Sequence, residues 1–453
     1  MWLKKILRFF LWVLVFLVGL VIAFVAVSIG PVDRTPVTQL AAYDTMHARL
    51  EHLNITASAP SASLRTGYAR INITPAAPVA TAGYGSRKGQ PYRQVHDSIY
   101  VRTMVVDNGD KRVAIVSADL LIIPPTVTAL LPGKLRDTGF TLDNTYLGAT
   151  HSHNSIGHWS EGAMTLLYGE YEDSVVHFIA DAIVQSVLDA SKDMKPSRLA
   201  VGAVAAPEPV RNRLTNDGYE DPWLRVLEVK RSDSSKAVLV TYAAHATCSS
   251  QKTIELSRDY PGEFVDALEE RGYDFAMFMA GAVGSHTTSA PDKDWACMAW
   301  MGEQLADTFM QYRSALHAMD DSTLVMVRVP LALSDPQVKI SEDWKVRSWL
   351  FRSAFGDYPS FLTALRIGDL VMLGAPCDFS GYFHAPIDSL AHQRGLQAMI
   401  TSFNGGYIGY ITPSKYYDLD HYETRLMNWY APGTGEYMLE CMERLMLALD
   451  EAR

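Results

Sequence analysis

The chain has 453 residues, 48% of them hydrophobic, enough to bury one large core or two ordinary ones; this excludes a disordered or fibrous protein. A net charge of −10, a pI near 5.7 and no basic run beyond the first eight residues exclude nucleic acid as the partner. Nothing in the composition points to an obligate protein partner.

The N-terminus comes first in chain order. Lys4, Lys5 and Arg8 precede an uncharged run from Phe9 to Ile29, "FFLWVLVFLVGLVIAFVAVSI". A helix needs roughly 20 apolar residues to cross a bilayer, and the positive flank is expected to stay in the cytoplasm. Residues 1–30 therefore read as a cytoplasmic flank and a single transmembrane anchor, with everything beyond on the extracytoplasmic side. "AVS" at Ala26–Ser28 offers the alternative of a cleaved signal peptide, which would release a secreted protein.

Residues 31–64 read as a linker with a helical segment over Val37–Leu53, followed by the small-residue stretch "NITASAPSAS". One large folded domain is expected over 65–453, since no later linker, repeat or low-complexity block interrupts it. Buried strands are expected at Val113–Ser117, Thr145–Ala149, Ala237–Tyr242, Phe275–Met279, Leu370–Leu373 and Ala398–Phe403. Helical spacing marks Asp173–Ser191, Pro261–Arg271 and Trp295–Met319. "RLAVGAVAAPE", "PWLRVLEVKR" and "TLVMVRVPLAL" add strands without intervening helices, so the fold class is α/β with a mixed sheet core and flanking helices. The four cysteines, Cys248, Cys297, Cys377 and Cys441, show no C-x-x-C spacing; disulfides are allowed, and their pairing is left open.

In open α/β sheets, ligands gather beyond the carboxyl ends of strands, where loops from several strands converge. Here those ends carry His151 and His153 in "ATHSHN", His245 in "AAHATCSS", glycines and hydroxyls in "AGAVGSHTT", Asp378 in "APCDFSG", and Tyr407 and Tyr410 in "NGGYIGY". Two histidines at i and i+2 of extended backbone point to one side, so either or both can reach one ion, and a surface turn or a hydrogen-bonded core histidine remains the alternative.

The ordered set "GYARINITPAAPVATAGYG", "VHDSIYVRTMVV", "VAIVSADL", "ATHSHN", "NRL", "AAHAT", "RDYPGEF" and "YIGYITPSKYYDLDHYET" resembles the catalytic domain of neutral/alkaline ceramidases, from about Gly67 to about Met438. These are zinc-dependent amidases that hydrolyse the N-acyl bond of ceramide. The resemblance implies one Zn²⁺ held by His151, His245, Asp378 and Tyr410. It implies that His153, Arg213 and Tyr422 contact the substrate or the developing oxyanion. It further implies a lipid substrate, while the membrane enters as a partner through the N-terminal anchor. Asp378 stands where the family has a glutamate, and Tyr410 and Tyr422 keep the family's twelve-residue spacing up to "HYE".

The family's N-x-G-D-V-S-P-N segment, whose serine has been assigned a catalytic role, reads "AVGSHTT" here. Thr287 then takes the serine's place and Ser285 the aspartate's, so both enter the candidate catalytic set. His96, Asp97 and Asp119 match the family pattern and are expected to serve structural hydrogen bonding. "WKVRSWLFRSAFGDYPSFL" (Trp344–Leu362) is read either as a lip for a lipid chain near the membrane or as a helix packed on the core. Where the family usually continues into an immunoglobulin-like domain, "PGTGEYMLECMERLMLALDEAR" is expected to form a last helix. Two other functions stay open: a zinc hydrolase of another amide or ester, and a membrane-anchored binding protein without catalysis.

Overall fold

A computed structural model describes residues 2–56 and 64–452; the second part of the expected small-residue tether, 57–63, lies outside the described residues. The larger sheet runs in the order Phe275–Ala280, Lys236–Tyr242, Trp223–Arg231, Lys195–Ala205, Leu64–Asn72, Tyr100–Asp107, Arg112–Ala118, Thr145–Ala149. Its first and last pairs are parallel and the ladder between them is antiparallel. A second sheet orders Leu324–Pro330, Phe361–Ile367, Leu370–Ala375 and Gln397–Ser402, with the last pair parallel. The mixed α/β fold read from the sequence is thus the fold observed.

The two sheets pack face to face. Met104, Ile115, Tyr146, Leu239 and Met277 of the first meet Leu365, Met372 and Met399 of the second in one continuous buried cluster. Alternation explains why both faces of these strands are apolar: their outer faces are covered in turn by helices. Pro125–Lys134 and Asp173–Lys192 cover one half of the larger sheet, and Asp259–Glu270 with Asp294–Tyr312 the other. Ala41–Glu51, His384–Gln393 and Thr434–Glu451 cover the second sheet. Helix, sheet, sheet and helix make four layers.

The larger sheet curls until its two edges meet. Ser117 Oγ donates to the Phe278 carbonyl at 2.6 Å. Gly148 passes Met279 so closely that a Cβ would lie 2.0 Å from the methionine methyl. This curl brings the carboxyl ends of strands at opposite edges together, and it decides where the site forms.

The helix expected over Trp295–Met319 ends at Tyr312. Arg313–Ala315 tightens into a 3₁₀ turn, Leu316 becomes extended, and His317–Ala318 pairs with the strand Lys195–Ala205. A tertiary ladder overrides helical spacing there. Cys248 and Cys297 form a disulfide that ties the loop after His245 to the helix Asp294–Tyr312, while Cys377 and Cys441 are buried thiols.

The apolar N-terminal run is a helix, Trp2–Ser28, exposed along its length up to Ser28. A second helix of sufficient length and apolarity, Asp173–Lys192, is half buried and belongs to the core. The segment after the first helix lies against the domain: Ile29–Pro31 pairs with Trp344–Val346, and the expected helix near Val37–Leu53, observed as Ala41–Glu51, buries Met46 and Leu50 against the last helix.

Candidate metal centre and its cavity

The strand Thr145–Ala149 ends by delivering His151 in a left-handed conformation, φ +65°, which is uncommon for a residue with a Cβ. That twist turns its imidazole inward, where it stacks on Phe403 at 4.1 Å and donates from Nδ1 to the Leu121 carbonyl at 2.6 Å. His245, beyond the strand Lys236–Tyr242, is held more loosely by the Val283 carbonyl at 3.4 Å from its Nδ1. A proton on each Nδ1 leaves both Nε2 atoms as lone-pair acceptors. Those atoms are 2.8 Å apart.

His153 brings a third Nε2 to within 3.2 Å of each of the others. Its Nδ1 faces the Gly83 backbone without a well-formed hydrogen bond among the described residues. Gly83 is required at that contact: φ is +112°, and a Cβ would sit 2.4 Å from the His153 Cα. Burial, followed by neighbouring charge from His151 and Arg213, pushes His153 well below the ordinary histidine range. Burial, then Arg213, does the same to His245.

Asp378 completes the cluster from the short strand Asp378–Phe379, which follows Leu370–Ala375 of the second sheet and pairs with Tyr410–Ile411. It is fully buried, with Oδ2 accepting from Tyr407 at 2.8 Å. Oδ1 lies 3.3 Å from His151 Nε2 and 3.9 Å from His245 Nε2 and has no hydrogen-bond partner among the described residues. Tyr410 Oη is 3.4 Å from His245 Nε2. Its hydroxyl is raised well above the usual phenol range by burial and by the nearby Asp378 charge.

An orphaned buried carboxylate oxygen opposite converging imidazole lone pairs is costly by itself. A cation would relieve both, and nitrogen and oxygen donors suit a divalent transition metal. The donor set therefore fits a metal ion, with His151, His153 and His245 grouped as candidate ligands and Asp378 beside them.

The cluster forms part of the wall of a cavity of about 1160 Å³. Arg213, Tyr407, Tyr410 and Tyr422 supply further polar groups, and Leu121, Trp159, Leu331, Phe351, Phe355 and Trp429 supply apolar wall. Arg213 sits 5.4 Å from the Tyr410 ring and pairs through Nε with Glu423 at 3.0 Å. Tyr422 meets the Tyr410 ring edge-on at 6.1 Å and is 55% exposed. Part of the aromatic stretch Trp344–Leu362 also lines this cavity, through the helix Ser348–Phe355 and the loop that follows it.

Ser285 and Thr287 are placed elsewhere. Ser285 Oγ is engaged by His286 Nδ1 at 3.0 Å, Ser380 Oγ at 2.9 Å and the Gly381 N–H at 3.0 Å. Thr287 lies on a short strand paired with Arg211. Neither lines the cavity. Asp97 accepts from Arg258 and Ser257, and Asp119 from Tyr100, so both serve hydrogen bonding in the fold. His96 stacks on Trp295, 3.8 Å between rings.

Four further residues support the cluster. Phe403 stacks on His151, and Tyr407 orients Asp378. Arg87, buried, donates to the His153 carbonyl at 2.9 Å and to Asn154 at 2.8 Å; Tyr84 lies 4.9 Å from the His153 ring. Tyr407 was visible as a strand-end phenol, and Tyr84 lies within the stretch "GYARINITPAAPVATAGYG" that carries the resemblance, with no role assigned to it there; Phe403 and Arg87 give no sign of a site.

Comparison with known proteins bears on one segment of the chain and on its fold. Residues 65–276 match the family of neutral/alkaline non-lysosomal ceramidases, N-terminal part. The fold is similar to a crystal structure of neutral ceramidase from Pseudomonas aeruginosa, with a TM-score of 0.76 at 19% identity over 86% of this chain and 75% of that one. It is similar also to a ceramidase solved as a complex with C2, with a TM-score of 0.77 at 18% identity over 86% and 76% of the two chains. Residues 65–276 thus carry the N-terminal domain of the neutral/alkaline ceramidase family, and the likeness of fold extends over 86% of this chain.

Proposed function

We propose that the protein is a membrane-anchored, zinc-dependent amidohydrolase that cleaves the N-acyl amide of ceramide or a related lipid. The observation that carries this reading is the buried Asp378 Oδ1, unpartnered among the described residues and facing His151 and His245 on a cavity with a long apolar wall. The match of residues 65–276 to the neutral/alkaline ceramidase family supports the amide chemistry.

In this reading His151, His245, Asp378 and Tyr410 hold the ion. Bound there, Zn²⁺ lowers the pKa of water to about 7 and polarises a carbonyl oxygen. His153, Arg213 and Tyr422 would donate to the oxyanion that develops as water oxygen bonds to the acyl carbon. Such donors typically contribute a few kcal/mol each, about 3. Collapse breaks the C–N bond, the amine leaves with a proton, and a fatty acid remains. Glu423 holds the Arg213 guanidinium in place, and Tyr407 does the same for Asp378. The apolar wall formed by Phe351, Phe355 and Trp429 would take an acyl or sphingoid chain. Residues 65–453 would form the hydrolase unit, joined to the anchor in residues 1–30.

Ser285 and Thr287 have no role in this chemistry. The test uses the full chain in detergent with a panel of N-acylsphingosines, reading released fatty acid before and after chelation. Zinc-dependent release supports the reading. Release unaffected by chelation and by His151→Ala contradicts it, as does hydrolysis confined to substrates without an acyl amide.

A further inference from the structure

The joint between the N-terminal helix and the domain is built, not slack. Ser28 is buried, and its carbonyl accepts from the Arg347 N–H at 2.8 Å. Trp349 Nε1 donates to the Val27 carbonyl at 2.8 Å, and its ring meets Phe24 edge-on at 6.5 Å. Ile29–Pro31 then adds a strand to Trp344–Val346, and Arg347 Nε donates to the Ile29 carbonyl at 3.0 Å. Beyond the strand, Asp33 N–H donates to Gln337, and Arg34 forms a two-armed pair with Asp418 at 2.9 Å. The "AVS" stretch that resembles a cleavage site thus ends in a residue fixed inside the fold.

The helix that receives this joint is also the cavity wall. Ser348–Phe355 turns Trp349 toward the N-terminal helix and Phe351 and Phe355 toward the cavity. Around the same edge, apolar side chains face outward: Trp344 is 53% exposed, Trp349 46%, Ile340 45% and Leu166 73%. Leu166 belongs to the segment Gly162–Tyr168, which packs on that helix closely enough that a Cβ on Gly162 would sit 2.6 Å from the Ala354 carbonyl. Its neighbours Met164 and Leu167 line the cavity.

We propose that the N-terminal helix is retained and that its docked end seats this edge of the domain on the bilayer, so that the cavity opens against lipid. At about 1.5 Å per residue, Phe9 to Ser28 spans roughly the 30 Å of the hydrocarbon core. That places Ser28 at the outer boundary, with Trp344 and Trp349 at headgroup level, where amphipathic aromatics concentrate. An exposed apolar edge continuous with a membrane-spanning helix has the bilayer as its occupant. A lipid would then enter from the membrane plane without crossing water; that consequence rests on the amidohydrolase reading, whereas the seating does not.

The test uses the full chain in phosphatidylcholine nanodiscs, with one nitroxide at a time on Leu166→Cys, Ile340→Cys or Tyr312→Cys. Tyr312 is 51% exposed at the far end of the helix Asp294–Tyr312 and serves as the reference. Collision with oxygen, which favours lipid, is compared with collision with a water-soluble nickel chelate. The expected result is an oxygen-to-nickel ratio at Leu166 and Ile340 several-fold above that at Tyr312, together with an intact mass that includes the first 28 residues. Equal ratios at all three sites overturn the seating, and a mass lacking those residues overturns retention. Neither readout depends on turnover, so loss of ceramide hydrolysis with raised ratios would count against the amidohydrolase reading alone.

Discussion

Two buried polar clusters meet where Gly284 crosses Asp378, a contact so close that a Cβ on the glycine would lie 2.3 Å from the aspartate carbonyl. On one side are His151, His153, His245 and Asp378. On the other, Ser285 joins His286, whose Nε2 accepts from the Asp221 N–H at 3.0 Å. Asp221 pairs with Arg225 at 2.8 Å, Arg225 with Asp388 at 2.5 Å, and Asp388 lies 3.2 Å from His384. Both clusters are rich in histidine and carboxylate. The second distributes donors against acceptors, with His286 lowered to about 4 by burial so that its neutral ring accepts. The first sets acceptor against acceptor and leaves one carboxylate oxygen unpartnered among the described residues. Polar burial alone therefore does not mark a site. An imbalance that a cation would relieve does.

That contrast can be broken or sharpened by substitution. The largest effect is expected for His151→Ala and Asp378→Asn, each of which should lower zinc content and hydrolysis by more than the roughly 100-fold that losing an outer-sphere partner costs. Metal analysis of the purified chain and fatty-acid release check both. Next, Arg213→Ala should lower kcat/KM by on the order of 10²-fold, about 3 kcal/mol, with zinc content unchanged. Tyr407→Phe removes the bond that orients Asp378 and should weaken zinc binding by roughly 10-fold to 100-fold, read by competition with a chelator. The smallest catalytic effect is expected across the divide. Ser285→Ala should keep zinc and hydrolysis near wild type while costing about 1–3 kcal/mol of stability in denaturant unfolding. A Ser285→Ala protein that is stable but inactive would erase the distinction between the clusters.

The strands were legible because each is a short, buried, apolar run bounded by turns; Thr145–Ala149 and Leu370–Ala375 stand within a few residues of expectation. The site was partly legible for a related reason: strand ends carry the polar residues, so His151, His245 and Asp378 were candidates before any geometry was known. What brings them together was not legible. The sheet curl rests on contacts such as Ser117 to Phe278, 161 residues apart, which leave no local pattern. Phe403 under His151 reads as one more core aromatic, and the Cys248–Cys297 pairing is equally non-local. Ile29–Pro31 is too short for any periodicity, so the docked joint was invisible next to an obvious apolar helix. The engagement of Ser285 by Ser380 and Gly381 likewise depends on a distant loop, and from sequence its hydroxyl looked available.

The central claim is that the first cluster is a metal centre, and metal stoichiometry tests it most directly. The full chain, purified in detergent, exposed to excess Zn²⁺ and then freed of loosely held ions, should retain close to one zinc per chain, and His151→Ala should retain almost none while keeping its unfolding transition. A folded wild-type chain that retains no metal, or a His151→Ala chain that retains as much as wild type, would contradict the account.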